Sequence, residues 1–391
     1  MHKPRIAVAS RIFAPEPAAA SFRLKALVQG LAAKGADVTV LTTKLPVQFA
    51  NARVELPAGV NVKRFPALRD STGYIKGYMQ YMSFDIPLFF RILFGKKQDA
   101  VVCEPPPTTG LVTRAACGLR RVPYVYYAAD IWSDAAAATA PTPVVSALRF
   151  VEKKALRGAK LVFATSGEVA ARVRELGAKR VTVMENGADT SVFTPQGSCK
   201  DGRYFVYAGT ASERHGAEVF AKAMRIVVKD HPDVKLVYVG SGSSDEEIQR
   251  IAEDLPAATI EQLGRVEAGE AAAWQRGAVA ALASIKPGLG YDYAIATKVY
   301  SALACGTAVV YAGAGPLNEV IVEEKFGEAV AYDVQEVAQA MSRALDQASV
   351  SGDAEHTAAE KLRRRQWVLD HHSLQATGKR AAQAVFGVLK R

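Results

Sequence analysis

Cysteine is scarce in this sequence, and long hydrophobic runs are missing from it. Four cysteines occur without a C-x-x-C pair: Cys103, Cys117, Cys199 and Cys305. Neither a disulfide framework nor a zinc cluster is therefore expected, and the sequence predicts a reduced, cytoplasmic protein. The densest apolar stretch, residues 86–94, is too short to cross a bilayer and contains Arg91. The first residues lack the apolar core of a signal peptide, so we expect a soluble protein.

The composition is typical of a globular protein with two domains. The chain has 391 residues, of which 49% are hydrophobic and 23% charged, and these values exclude disorder and fibrous structure. The net charge is +10, and residues 1–195 hold 27 Lys and Arg against 14 Asp and Glu, whereas residues 196–391 hold 22 against 25. A basic first half suits an anionic lipid, a sugar phosphate or a nucleic acid, although a basic surface without a partner explains it too. No nucleic-acid recognition motif occurs, so no such partner is expected.

Short β-rich runs alternate with amphipathic stretches, which predicts βαβ units and parallel sheets. Strands are predicted in the first half at residues 5–10, 37–43, 99–104, 124–129, 160–166 and 180–186. The polar stretch 186–203 is interpreted as an interdomain linker. Beyond it, strands are predicted at residues 203–209, 234–242, 259–266, 278–286 and 307–313. The sequence thus predicts an α/β fold of two doubly wound Rossmann-like domains that face a cleft, residues 1–195 and 196–372.

Glycine-bearing loops follow the predicted strands of the second half. They span residues 209–216, 240–244, 264–267, 286–298 and 313–318. In open α/β sheets, ligands bind beyond the carboxyl ends of the strands, where helix N-termini favour anions. The five loops would share one rim of one sheet, which predicts a binding site there. Glycine after a strand also serves turn geometry alone, and that explanation stays open.

Lys298 is the charged residue that these loops single out. It follows a long loop and lies in the first turn of a helix predicted from Thr297 to Ala304. The helix dipole disfavours a cation at this end, so a lysine here is explained if it binds a phosphate. A solvated surface lysine is the alternative.

Three segments carry family motifs. The segment 152–195 ends in N-G-x-D-x-x-x-F-x-P, formed by Asn186, Gly187, Asp189, Phe193 and Pro195. The segment 297–310, TKVYSALACGTAVV, is similar to a K-x-x-E-x-x-A-x-G-x-P-V-V block, and the segment 99–134 contains a D-x-W motif. In these motifs the chain resembles the retaining glycosyltransferases of family 4, in particular members that build surface polysaccharides.

The resemblance implies the two-domain GT-B fold, with an acceptor-side first domain and a second domain that binds a nucleotide-sugar donor. In proteins of this kind the last helix usually returns to the first domain. Residues 373–391 are therefore expected to pack on residues 1–195, and at 1.5 Å per residue they are long enough to do so.

The sequence departs from the family where members hold their donor. Members commonly carry Glu-x7-Glu, whose second Glu contacts the ribose and whose first contacts the sugar; Tyr293 and Ser301 occupy the corresponding positions. The Arg and Lys that often bind the diphosphate correspond to Thr210 and His215, with Arg214 alongside. In the first domain, alanines replace a glycine pair and a histidine: Ala18, Ala19 and Ala129. Of the usual charged donor set, only the lysine of the first helical turn remains.

These positions define an expected donor site and an expected catalytic set. The donor-binding residues are expected to be Gly209, His215, Gly240, Gly242, Gly264, Arg265, Val266, Tyr293, Thr297, Lys298 and Ser301. Lys298, Arg214 and helix N-termini would neutralise the leaving diphosphate, so that no metal or other cofactor is required. Asp130 follows a first-domain strand and would orient the acceptor hydroxyl, with Glu104 as a second candidate. The alternative for Asp130 is a helix N-cap.

By this resemblance we expect a hexosyltransferase of cell-surface glycan synthesis. It would transfer a sugar from a nucleotide donor, expected to be UDP-linked, to a lipid-linked or glycan acceptor with retention of configuration. The departures above motivate a second hypothesis, a catalytically silent GT-B protein that binds a nucleotide or a partner. A nucleotide-sugar epimerase is a third hypothesis, for which the sequence offers no convincing set of acid and base groups.

Aromatic and basic residues cluster between positions 74 and 97. The aromatic members are Tyr74, Tyr78, Tyr81, Phe84, Phe89, Phe90 and Phe94, and the basic members are Lys76, Arg91, Lys96 and Lys97. Interfacial segments combine apolar anchors with basic residues in this way, so contact with an anionic membrane at its cytoplasmic face is one interpretation. A pair of helices packed on the domain core is the other.

Overall fold

A computed structural model describes residues 3–16, 18–70, 73, 75, 77–137, 140–290, 292, 294–350 and 354–389. The chain divides into two compact units, one formed by Met1–Asn186 with Leu374–Arg391 and the other by Gly187–Ser373. The boundary lies ahead of residue 195 because the predicted linker is held within the second unit. Arg365 donates hydrogen bonds to the carbonyl oxygens of Thr190 and Phe193, at 3.2 and 3.1 Å.

The strands and helices alternate along most of the chain. The strands are β1 (Arg5–Ala9), β2 (Asp37–Thr43), β3 (Val60–Phe65), β4 (Ala100–Cys103), β5 (Tyr124–Ala128), β6 (Leu161–Ala164), β7 (Val181–Val183), β8 (Tyr204–Ala208), β9 (Lys235–Val239), β10 (Ile260–Gln262), β11 (Ala280–Ile285), β12 (Val309–Gly313) and β13 (Gly327–Val330). The helices are α1 (Ala19–Ala33), α2 (Tyr78–Phe94), α3 (Pro107–Arg120), α4 (Trp132–Ala137), α5 (Thr142–Gly158), α6 (Gly167–Glu175), α7 (Glu218–Asp230), α8 (Asp245–Glu253), α9 (Ala268–Gly277), α10 (Lys298–Ala304), α11 (Leu317–Glu323), α12 (Val334–Val350), α13 (Ala354–His371) and α14 (Leu374–Leu389). Among the described residues, no helix is both long enough and apolar enough to cross a membrane.

Each unit is built on one parallel sheet. The first sheet has the order β3-β2-β1-β4-β5-β6-β7, and the second has the order β10-β9-β8-β11-β12-β13. Hydrophobic clusters cover both faces of each sheet. This confirms the prediction of two doubly wound Rossmann-like domains. The cleft between them stays a prediction.

The central strands were the easiest to predict because they are buried on both faces. All residues of β4, β5 and β6 are buried, and such strands appear in a sequence as continuous apolar runs. The edge strands β3 and β13 are more polar and were not predicted. The sequence does not predict helices α4, α9 and α12 either, although Val337, Met341 and Leu345 recur on α12 at the four-residue spacing of a buried helical face.

The last helix packs on the first helix of the first unit through two glycines. A Cβ atom built on Gly30 would lie 2.6 Å from the carbonyl oxygen of Gly378, and one built on Gly378 would lie 2.3 Å from that of Ala26. The backbones of α1 and α14 therefore approach more closely than any side chain would allow. This contact closes the core cluster that includes Leu27, Leu31 and other residues of α1.

We expect Gly378→Ala to lower the free energy of unfolding by about 1–3 kcal/mol, because the added methyl group overpacks the contact between α1 and α14. Gly387→Ala is the matched control, since it lies on the same helix and its built Cβ meets no atom within 4 Å. Alanine should be neutral there or stabilising by up to about 1 kcal/mol. Chemical denaturation of both variants measures the difference, and equal stabilities would contradict the close approach.

Candidate active site

The loops after β8, β9 and β10 are packed against one another through glycines. A Cβ atom on Gly240 would lie 2.2 Å from the carbonyl oxygen of Gly209, and one on Gly242 would lie 2.1 Å from that of Ala211. The N–H of Gly240 donates to the carbonyl oxygen of Gly264 at 2.7 Å. Close loop packing thus accounts for Gly240 and Gly242, and the hydrogen bond to Gly264 joins the third loop to them at the carboxyl edge of the second sheet.

Lys298 begins helix α10 and reaches back to the loop after β8. Its Nζ donates a hydrogen bond to the carbonyl oxygen of Thr210 at 3.3 Å. The same atom lies 3.6 Å from the centroid of the Tyr207 ring. Gly209 gives the lysine side chain room, since a Cβ there would lie 3.3 Å from the lysine Cε. Lys298 is half-buried as a residue, and its ammonium group is held at the carboxyl end of β8.

The electrostatic surroundings of Lys298 are unfavourable to its charge. Removal from water lowers the pKa of its ammonium group well below the usual value of 10.5, and the nearby positive charge of Arg214 lowers it further. The Arg214 side chain is exposed, while its carbonyl oxygen accepts a hydrogen bond from the Lys286 N–H at 3.0 Å. A bound anion would relieve the repulsion between these two cations.

His215 is a neutral group beside these cations. Burial lowers the pKa of its imidazole from 6.5 to about 3, and the charges of Lys298 and Arg214 contribute in the same direction. Its Nδ1 shares a hydrogen bond of 2.7 Å with the Ser212 hydroxyl, and its carbonyl oxygen accepts one of 2.5 Å from the Ser284 hydroxyl. The imidazole can therefore offer a hydrogen bond to a ligand, but not a positive charge at neutral pH.

The other predicted donor residues lie along the same edge. The Nε of Arg265 donates to the Ser241 hydroxyl at 3.1 Å, which holds an exposed guanidinium over the loop after β9. The side chain of Val266 is partly buried and packs against the hydrophobic core of the second unit. Thr297 and Ser301 lie one turn apart at the start of α10. Tyr293 lies outside the described residues.

The first unit presents Asp130 at the carboxyl end of β5. Asp130 is exposed, and the N-terminal N–H groups of α4 are bound by a different carboxylate. Glu152, which is buried, accepts hydrogen bonds from the N–H groups of Trp132 and Ser133 at 2.9 and 3.1 Å. The cap that the sequence suggests for Asp130 is therefore supplied by Glu152.

Glu104 does not fit the role that the sequence suggests for it. Its carboxylate is buried and lies 2.6 Å from the Nε of Arg23, with the Ser10 hydroxyl at 3.4 Å. Burial opposes the charge of Arg23, but Glu104 and further negative groups together raise the pKa of the guanidinium. Breaking such a buried pair would leave an uncompensated charge, so Glu104 stabilises the fold and is not available to an acceptor.

The sequence does not predict the contacts of Tyr207 and Ser212 in the second unit, nor that of Glu152 in the first. In the sequence, Tyr207 is one more aromatic residue of a buried strand. Its contact with Lys298 is seen only in the structure. No group of three His, Cys, Asp or Glu side chains that could hold a metal ion occurs in the described part of the chain.

Two family models match the chain, one in each unit. Residues 19–187 match the glycosyl transferase 4-like domain, and residues 202–347 match the glycosyl transferases group 1 domain. A curated relative is the D-inositol 3-phosphate glycosyltransferase of Paenarthrobacter aurescens (strain TC1), with 32% identity over 186 residues. That match spans 43% of this chain and 44% of the relative, less than half the length of either.

Solved structures share the fold across nearly the whole chain. Sucrose-phosphate synthase from Thermosynechococcus elongatus superposes with a TM-score of 0.75 and 18% identity, covering 99% of this chain and 100% of that one. Anabaena HepE, solved in complex with UDP and glucose, superposes with a TM-score of 0.68 and 15% identity, covering 98% and 99%. At these identities the likeness establishes the fold.

We expect the His215 imidazole to remain neutral between pH 5 and 8, because its pKa lies at about 3 in the folded chain. NMR titration of its ring nitrogens measures this, and a midpoint near 6.5 would contradict the environment described here. Lys298→Ala should move the midpoint upward, since Lys298 makes the larger of the two charge contributions.

Between pH 6.5 and about 3 the unfolded chain binds a proton at His215 that the folded chain does not, so the contribution of His215 to stability falls as the pH falls.

Proposed function

We propose that the chain is a GT-B glycosyltransferase, with a glycosyl transferase 4-like domain followed by a group 1 domain, and that it transfers a sugar from a UDP-linked donor to a lipid-linked acceptor. The observation that carries the proposal is the ammonium group of Lys298, held at the carboxyl end of β8 beside Arg214 and three packed loops. Hexosyl transfer with retention of configuration, in the synthesis of a cell-surface glycan, is part of this proposal.

The donor diphosphate would lie against Lys298 and the first turn of α10. The positive charges of Lys298 and Arg214 lie close together at this edge, which favours an anion. HepE, a protein of the same fold, was solved with UDP and glucose, which supports a nucleotide-sugar donor. His215 would add a neutral hydrogen bond to the donor.

In the proposed transfer, the bond between the anomeric carbon and the β-phosphate oxygen breaks, and the acceptor oxygen forms a new bond to that carbon. The leaving diphosphate gains negative charge, which Lys298 and Arg214 stabilise, and the acceptor hydroxyl loses its proton to that departing group. Preorganised charge at this position is a large catalytic contribution, and we propose that it acts without a resident metal ion. The exposed carboxylate of Asp130 would accept a hydrogen bond from the acceptor.

A second proposal, binding of a nucleotide without sugar transfer, is favoured by the uncharged residues that stand where the resemblance expects charged ones. Thr210, His215 and Ser301 stand where the resemblance expects Arg, Lys and Glu. A chain that binds a nucleotide without turning over its sugar would fit these replacements. Turnover therefore has to be measured beside binding.

We expect UDP-sugars to raise the melting temperature of the chain and to be hydrolysed slowly without acceptor, with activity retained in EDTA. Lys298→Ala should lower kcat/KM by about 30- to 1000-fold, because losing one preorganised donor costs roughly 2–4 kcal/mol. Lys298→Arg should recover part of this loss, since a planar guanidinium replaces a point charge. Calorimetry with UDP and a coupled release assay measure binding and turnover.

The control for Lys298 is Lys229→Ala, which removes an exposed lysine of α7. It should leave both measurements within twofold of wild type. Near-equal values for Lys298→Ala in a folded protein would refute the donor site. Binding of UDP without release of sugar would support the silent GT-B protein instead.

Helix α2 supports a membrane-associated acceptor. One face packs on the core through Phe84 and Leu88, and Phe89 is also partly buried against it. The opposite face leaves large apolar side chains exposed: Tyr78, Met79, Ile86, Phe90 and Phe94. Exposed Lys96 and Lys97 follow the end of the helix. The core-packing interpretation therefore holds for one face, with one helix in place of a pair, and membrane contact by the other face stays a proposal. Tyr74 and Lys76 lie outside the described residues.

We propose that this exposed face inserts into an anionic membrane, and we expect Phe90→Ser with Phe94→Ser to weaken partitioning about 10-fold or more. Sedimentation with vesicles of phosphatidylcholine and phosphatidylglycerol measures it. The control pair is Val322→Ser with Leu362→Ser, two exposed apolar residues of the second unit. Phe89 is left unchanged because its removal would disturb the core. Unaltered partitioning in the folded double variant would rule the face out.

A further inference from the structure

The ammonium group of Lys298 has an aromatic partner in place of a carboxylate. Its Nζ lies 3.6 Å from the centroid of the Tyr207 ring, well within the range of a cation–π contact. The second partner is the carbonyl oxygen of Thr210 at 3.3 Å. No carboxylate of the described residues pairs with this ammonium group, and Arg214 adds a like charge nearby.

The ring that faces Lys298 is rigidly held. Tyr207 lies on the buried strand β8, with ring centroids of Phe220 and Tyr238 at 6.0 and 5.5 Å. Its hydroxyl donates to the same carbonyl oxygen of Thr210 that Lys298 uses, at 3.2 Å. One tyrosine therefore contacts the lysine through its π face and fixes the lysine's second partner through its hydroxyl.

We propose that Tyr207 is a positioning residue whose ring face holds the charged amino group of Lys298 where the donor diphosphate binds. This inference rests on the proposed function, because it assigns Tyr207 a role in the same donor site. A carboxylate in that place would neutralise Lys298 and repel the diphosphate. An aromatic face attracts the ammonium group without bringing a negative charge, so the cation stays available to phosphate.

The direction of the lysine's titration supports this role. Desolvation and Arg214 both favour the neutral amine of Lys298, and a neutral amine would not pair with phosphate. The negative face of an aromatic ring favours the ammonium form instead. Tyr207 therefore opposes the two effects that would discharge the lysine.

The test replaces residue 207 by aromatic rings of decreasing electron density. Phenylalanine, 4-fluorophenylalanine and 3,4,5-trifluorophenylalanine keep the shape of the buried ring while its negative face weakens. UDP affinity should fall stepwise along this series, by about 5- to 30-fold from first to last, which is the range of a cation–π contact. The alkaline decline in UDP affinity should move to lower pH by up to about one unit.

The matched control is the same series at position 204. Tyr204 lies on the same strand, is equally buried, and donates its hydroxyl to the carbonyl oxygen of Trp274 at 2.9 Å, away from Lys298. The same phenylalanine analogues at position 204 should leave UDP affinity and its pH profile unchanged. In a Lys298→Ala background, the series at position 207 should also have no effect, because the cation is missing.

Two results would overturn the role of Tyr207. One is a UDP affinity that stays constant along the series at position 207 in folded proteins, and the other is a UDP affinity that falls equally in the Lys298→Ala background. Failure of the proposed function has a different signature, since the wild-type chain would then bind neither UDP nor a UDP-sugar.

Discussion

The constraint on which the structure depends is the burial of parallel strands on both faces. A strand such as β5, with all five residues buried, can be reached only by crossovers that cover the sheet with helices. The loop that leaves each strand then lies at the same edge of the sheet, the carboxyl end. The loops after β8 and β9 meet there, where glycines let their backbones approach to distances that no Cβ would permit, and the loop after β10 is hydrogen-bonded to them. The candidate site is a consequence of how the core is built.

At that edge lies the ammonium group of Lys298, which no carboxylate of the described residues pairs with. Lys298 is half-buried beside Arg214, with a ring face and a carbonyl oxygen as its described partners. This differs from the first unit, where Arg23 is buried with Glu104 at 2.6 Å. The first unit thus holds its buried cation in an ion pair, whereas Lys298 has the surroundings that the proposed donor site requires. Residue type alone does not distinguish Arg23 from Lys298, since each basic residue lies in the helix that follows a strand.

The sequence predicts the central strands, the glycine loops and the start of α10 because each depends on local pattern. The run at 37–43 coincides with β2, and Lys298 does begin a helix. What could not be predicted depends on contacts between residues far apart in the chain. Glu152 caps a helix that begins twenty residues before it, and Tyr207 lies under a lysine ninety-one positions later. The spacing of residues in the sequence carries no information about such pairs. For the same reason the sequence does not predict that Glu104, a carboxylate in a loop, is buried against Arg23.

The discontinuous first unit has a consequence for biosynthesis. Helix α14 covers the apolar face of α1, yet it follows the whole second unit in the chain. During translation, Leu27 and Leu31 therefore stay without their native cover while about 340 residues are added, which takes on the order of 20–70 seconds at 5–20 residues per second. The second unit, continuous from Gly187 to Ser373, can complete its core earlier. The nascent first unit is thus the part of this chain that would most need protection by chaperones.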